Sequence, residues 1–294
     1  MLSRRRGFTL IEVLITLVVL GFVMAALYRV LMGNQRTFHA QTQRVDLQQN
    51  IRAAVAILPT ELREIDASDN DIQSMSATAI TIRAMRYLGV VCTAPVLGGI
   101  VSSVAVTIRS SPFWGARDIN VTTDSLLIYY DGDPATRLDD DWAFAKPSAV
   151  VNANCADGSP GRLITLSLGV GPGFSLPNVP GGISDGAPLR GFETVTYQLY
   201  QPAGDTSYYI GMQPAGGVLQ PLIGPVLSNG LSLSYYDSTG VATGDPRRVA
   251  RIDFVVRART VQPLRSETGA GTSTLANAVD SLSTSVALRN NRRF

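Results

Sequence analysis

An apolar run over residues 8–32 holds a single carboxylate, Glu12, and follows a short basic leader, Met1-Leu-Ser-Arg4-Arg5-Arg6-Gly7. A run of that size is long enough to cross a bilayer, which takes about 20 mostly apolar residues. An acidic side chain inside such a helix costs about 2.5–3.5 kcal/mol on insertion scales. Glu12 therefore calls for a partner. A basic start before an apolar stretch also describes a secretory signal. Met24-Ala25-Ala26 then reads as a small-residue cleavage site, releasing a chain that starts near Leu27. A plain single-pass anchor is the third alternative. Two features oppose cleavage there: Glu12 is badly placed in a signal core, and the helical pattern runs on past Ala26 without a break.

The contiguous stretch Arg6-Gly7-Phe8-Thr9-Leu10-Ile11-Glu12-Val13 resembles the leader-peptidase site of the type IV pilin and type II secretion pseudopilin superfamily. The resemblance implies cleavage between Gly7 and Phe8 and N-methylation of Phe8 by a prepilin peptidase. It also implies that Glu12 pairs with the positive amine of Phe8 on a neighbouring subunit during assembly. Opposite charges in a low-dielectric bundle stabilise one another only where geometry lets them meet, so such a pair sets register. Arg4, Arg5 and Arg6 hold the leader on the cytoplasmic side. The implied partners are the peptidase, an inner-membrane assembly platform and, before assembly, the lipid bilayer itself.

Residues 8–65 read as one long helix, with a membrane segment over about 8–31. Its first half is apolar all round, as a span should be. Polar residues enter from Arg29 onward. Leu47, Ile51, Ala54, Leu58, Leu62 and Ile65 then recur at spacings of three and four and share one face. Gln49, Arg52, Thr60 and Glu64 lie opposite. At about 1.5 Å per residue the helix is about 85 Å long, so half of it stands outside the bilayer. Pro59 is expected to kink it or to start a new turn. Asp66-Ala-Ser-Asp-Asn-Asp71 ends it.

Beyond residue 66 glycines and prolines punctuate short alternating apolar segments, the texture of a β-rich domain with long loops. Strands are expected near 79–83, 104–108, 125–130, 162–168, 193–200, 207–212, 230–236, 249–259 and 283–288. The clearest is Arg251-Ile-Asp-Phe-Val-Val-Arg-Ala-Arg259, where Ile252, Phe254, Val256 and Ala258 alternate with mostly polar neighbours. Residues 169–191 are too rich in Gly and Pro for regular structure and read as a loop or insertion. The expected fold is α+β and pilin-like: leader 1–7, long helix 8–65, and an antiparallel β-rich domain over 66–294.

Later segments carry a narrower resemblance. Thr194-Val-Thr-Tyr-Gln-Leu-Tyr200, Pro225-Val-Leu-Ser-Asn-Gly-Leu-Ser-Leu-Ser-Tyr-Tyr-Asp237, Pro246-Arg-Arg-Val-Ala-Arg-Ile-Asp253 and Thr284-Ser-Val-Ala-Leu-Arg-Asn290 succeed one another. This order is similar to PilW-type minor pilins and the related J-type minor pseudopilins of type II secretion. That resemblance implies work beside other minor pilins and a major pilin, in a tip complex that primes the filament. It also implies a location in the inner membrane, with the globular domain in the periplasm, and then in the pilus at the cell surface. Length favours the PilW type over the shorter secretion subunits. A membrane-anchored binding module for DNA or an adhesin is the rival from another class.

No cofactor site and no enzymatic constellation emerge. His39 is the only histidine and sits on a polar stretch of the helix, without a Ser-His-Asp or Cys-His setting. Cys92 and Cys155 are the only cysteines. In an exported chain they are candidates for a disulfide, the alternative being two buried thiols. Asp131, Asp133 and Asp139 offer a weak calcium arrangement, against an ordinary solvated turn. From Arg247 onward nine arginines face only Asp253, Glu267 and Asp280. Such a surface suits DNA backbone or a membrane, though outward arginines also keep a sheet face wet. The net charge of +2 gives the chain as a whole no nucleic-acid signature.

Overall fold

The computed structural model describes residues 9–95, 103–115, 117–131, 135–136, 140–167, 183–267 and 273–289. Its first element is one helix, α1 (Leu10–Arg63), of 54 residues or about 80 Å. The helix runs through Pro59. Proline costs α1 one backbone hydrogen bond there, and the surrounding turns hold the helical path without it.

The strands are β1 (Ile72–Met75), β2 (Ala79–Thr93), β3 (Ser103–Arg109), β4 (Trp114–Gly115), β5 (Asp124–Tyr130), β6 (Asp141–Asn154) and β7 (Pro160–Ser167). They continue with β8 (Pro188–Tyr200), β9 (Tyr208–Pro214), β10 (Gln220–Tyr236), β11 (Arg251–Arg259), β12 (Leu264–Glu267), β13 (Ser273–Ala276) and β14 (Val279–Ala287). β1, β4, β12 and β13 had no forecast, β2 runs ten residues past its forecast end at 83, and three further features differ from the sequence expectation. The chain is already in β8 at Pro188, inside the stretch expected to be irregular throughout. β10 begins ten residues before the expected 230, and register shifts against β9 between Pro221 and Ile223 and between Ile223 and Val226 accommodate its prolines. β6 had no forecast because Pro147 interrupts its pattern; a register shift between Pro147 and Ala149 accommodates that residue.

Contacts divide the chain into two compact units, Met1–Asn50 with Arg259–Asp280, and Ile51–Ala258 with Ser281–Phe294. In the first, the β12–β13 hairpin forms its own two-stranded sheet. Thr260, 1% exposed, anchors its base. The Thr260 N–H donates to Ala278 O at 2.9 Å, and the Ala278 N–H donates to Thr260 Oγ1 at 3.1 Å. The Gln262 N–H reaches Gln43 Oε1 of α1 at 3.2 Å.

The second unit contains a closed ring of strands. β2 pairs with β3, β3 with β7, β7 with β6, β6 with β5, β5 with β8, and β8 returns to β2, all antiparallel. Closure removes the unpaired edges that an open sheet would leave on these six strands. Val106, Ile108, Leu126, Ile128, Ile164, Leu166 and Leu189 fill the interior together with Tyr87. Gly191 makes room for that tyrosine: a Cβ at 191 would lie 2.0 Å from its ring. From β8 a second, open layer continues through β9, β10, β11 and β14. On β11 the side chains of Ile252, Phe254, Val256 and Ala258 are all 0% exposed. β2 and β8 are long enough to serve both layers, pairing from Ala79↔Gln198 to Val90↔Pro188.

Within this unit Ile51, Ala54, Leu58 and Leu62 of α1, and Ile65 after it, are 0–4% exposed. Each large aliphatic residue buried in this way contributes about 1.5–3 kcal/mol relative to exposure. An ion-pair chain ties the same stretch to the strands. Arg86 of β2 lies 3.0 Å from Glu61 of α1 and 3.1 Å from Glu193 of β8. Glu193 also meets Arg117 at 3.3 Å, and Arg117 Nη1 donates to the fully buried Asp124 at 2.8 Å.

Candidate functional site

The described chain opens on Thr9, and its first helical turn is built around Glu12. Leu10 is the first helical residue, so Thr9 takes the cap position and Glu12 stands three residues on. The Thr9 N–H donates to Glu12 Oε2 at 3.0 Å, and the Thr9 hydroxyl donates to the same oxygen at 3.0 Å. In return the Glu12 N–H points to Thr9 Oγ1 at 3.4 Å and to Thr9 O at 3.1 Å. This reciprocal arrangement is a capping box, Thr-x-x-Glu. It satisfies backbone donors that a helix start otherwise leaves without partners. A carboxylate at this end is also favoured by the positive pole of the helix dipole. Sequence reasoning singled out Glu12 and missed Thr9, although Thr-x-x-Glu before an apolar run is itself a legible start signal.

From the cap onward the helix shows apolar side chains on every side. Leu10, Ile11, Leu14, Leu17, Phe22, Leu27 and Leu31 are 53–84% exposed. α1 is long and apolar enough to cross a membrane. This surface, with a capped carboxylate one turn inside its end, is the feature of the chain least suited to water. Among the described residues nothing covers it.

The remaining predicted positions separate clearly. Arg4, Arg5, Arg6, Gly7 and Phe8 lie outside the described residues. Cys92 and Cys155 are joined in a disulfide, with Cα atoms 5.4 Å apart and a separation of 63 in sequence. The bond ties the end of β2 to the turn between β6 and β7, where the Ala156 N–H also donates to Thr93 Oγ1 at 3.0 Å. Asp131 is described; Asp133 and Asp139 lie outside the described residues. Among the described residues no three metal-binding side chains gather. His39 is exposed on α1, beside the ring of Phe38. On β11, Arg257 donates to Asn229 O at 2.9 Å, and Arg251 lies 4.3 Å from the ring centre of Tyr236. Both arginines are thus engaged within their own sheet.

Comparison with known families finds one match, the prokaryotic N-terminal methylation motif, over residues 2–28. The chain therefore carries a prepilin signal of the type IV pilin kind, which embraces Gly7, Phe8, Thr9 and Glu12. No curated protein and no solved structure matches the chain. Such a signal implies processing by prepilin peptidase and anchoring through the apolar helix.

Proposed function

We propose that this chain is a non-catalytic minor pilin of PilW type, built into a type IV pilus within a tip complex that primes assembly. The observation that carries the reading is the capped carboxylate at the head of an uncovered apolar helix, inside a methylation motif. Cleavage after Gly7 makes Phe8 the first residue and Thr9 the second. The peptide N–H that Glu12 grips is then the one adjoining the new amine. In the bilayer the two Thr9 donors keep the carboxylate solvated by its own chain, which lowers the cost of holding it there. A neighbouring subunit offers a full positive charge in place of neutral donors, and charge-assisted bonds are roughly twice as strong as neutral ones. Assembly thus exchanges an internal cap for an intersubunit pair.

The β-rich domain, held to the helix by the Leu58–Leu62 stripe and by Arg86, selects lateral partners among minor and major pilins. DNA contact is not part of this reading. A minor pseudopilin of a secretion system shares the same physics, and the subunits that co-purify with the chain separate the two machines.

Two measurements test the reading. Mass spectrometry of the membrane-extracted chain should find N-methylated Phe8 at the terminus; a start near Leu27 removes the filament mechanism. Glu12→Ala should leave processing intact and reduce incorporation into sheared filaments by at least about 100-fold, since breaking a buried pair costs about 3–5 kcal/mol. Unchanged incorporation would sink the charge-pair idea.

A further inference from the structure

Asn120-Val121-Thr122 is the only Asn-x-Ser/Thr triplet in the 294 residues, and Asp118 stands two positions ahead of it. The triplet lies on the loop between β4 and β5, and Asn120, Val121 and Thr122 are all exposed. Its geometry is defined. Asn120 Oδ1 accepts the Thr122 N–H at 2.9 Å, an Asx turn. The Asn120 N–H donates to Asp124 Oδ2 at 2.8 Å, and Asn120 O accepts the Asp124 N–H at 2.9 Å. Asp124 is 0% exposed and paired with Arg117, so the turn stands on a fixed base. Among the described residues no acceptor takes the Asn120 Nδ2 group. The carbonyl half of the side-chain amide is bound to the turn, and the nitrogen half is open to solvent.

We propose that Asn120 is an N-glycosylation site. Asn-x-Ser/Thr on a surface loop of an exported chain is the acceptor sequence for this modification. The side chain of the acidic residue two positions ahead, Asp118, is 82% exposed and pairs with Arg162 at 2.9 Å, which braces the approach to the triplet. The donor is an oligosaccharide carried on a polyisoprenyl diphosphate. Asn120 Nδ2 attacks the anomeric carbon and a C–N bond forms. The C–O bond to the diphosphate breaks, the amide proton passes to a base of the transferase, and the polyisoprenyl diphosphate leaves. No electron carrier is involved. The step rests on the export of the β-rich domain argued above. Its consequence is spatial: a glycan at Asn120 screens Val121 on the same loop, 39% exposed, and Trp114 in the preceding β4, 54% exposed. It also reserves that face of the ring of strands for solvent and keeps subunit contacts elsewhere.

The test uses the full chain from its own cell membranes, digested with trypsin without reduction. Cleavage after Arg117 yields the peptide 118–137. The expected result is an oligosaccharide mass increment on Asn120 that is lost in Asn120→Gln and Thr122→Ala and kept in Thr122→Ser. The disulfide-linked Cys92–Cys155 peptides in the same digest report that each variant is folded and exported. An unmodified 118–137 peptide from chains that hold the disulfide and start at Phe8 overturns this inference and leaves the pilin reading standing. Reduced cysteines with an uncut leader remove both.

Discussion

Residues 10–31 and 51–63 belong to one helix, and both are rich in leucine, isoleucine, valine and alanine. The first stretch leaves Leu10, Leu14 and Leu31 more than half exposed, whereas the second hides Leu58 and Leu62 to within 2%. Apolar content is high in both, and its arrangement is what divides their surroundings. In 51–63 the apolar residues form a stripe with polar groups opposite, so one side can meet a sheet and the other water. In 10–31 there is no polar side to offer. That stretch can be satisfied only by surroundings that are apolar all round, which means lipid or other helices. The comparison teaches that this helix carries two solvents' worth of instructions, with the change between them written around Arg29 to Asp46.

The largest test of this division uses pH. Burial holds the phenols of Tyr87, Tyr197 and Tyr235 above their ordinary value of 10. A folded-state pKa raised in this way contributes stability fully present below pH 10 and lost as pH rises above it. Near-ultraviolet dichroism in micelles should therefore collapse above about pH 10 as the β-rich unit unfolds, while helix from 10–31 persists. A near-ultraviolet signal still intact at about pH 12 would contradict it.

Next in size, Leu62→Ala should lower the unfolding free energy of the β-rich unit by about 2–5 kcal/mol in denaturant titration. Leu20→Ala, in the exposed half, should move it by less than about 0.5 kcal/mol. Similar losses from both would erase the contrast between the two stretches. Replacing Cys92 and Cys155 together by serine should cost the same unit about 2–4 kcal/mol in the loop-entropy account, read by the same titration. The smallest effect belongs to the cap. Thr9→Ala should loosen the first turn by about 1 kcal/mol, seen as faster amide exchange at Glu12 and Val13 in micelles. Exchange as slow as in the parent would mean that the lipid-like surroundings hold the turn without the box.

Legibility followed the same division. The helix face 47–65 could be read residue by residue because a repeat of three and four is unambiguous over five turns. β11 was equally plain, since apolar and polar residues alternate from Arg251 to Arg259 with Val255 as the single exception. The ring of strands was invisible, because closure depends on pairings between residues far apart in sequence, such as Ser103 with Ser167 and Asp124 with Glu193. β6 escaped because one proline breaks a pattern that its neighbours tolerate. At the site, Glu12 stood out by its cost, and Thr9 did not, because a threonine ahead of an apolar run costs nothing and attracts no notice. Arg86 and Glu193 were missed for a similar reason: charges on strands read as wet surface until their partners are seen.

The doubled duty of β2 and β8 bears on how the domain can change length over generations. A one-residue insertion in a strand turns every following side chain to the opposite face. Within β8, such a slip would invert Leu189 inside the ring and Val195 and Tyr197 beyond it at one stroke. The hairpin turns at 201–207 and 215–219 have no such leverage, since lengthening an exposed turn moves neither neighbour. Homologous chains should therefore drift in size at those turns and hold 79–90 and 188–200 to a fixed count.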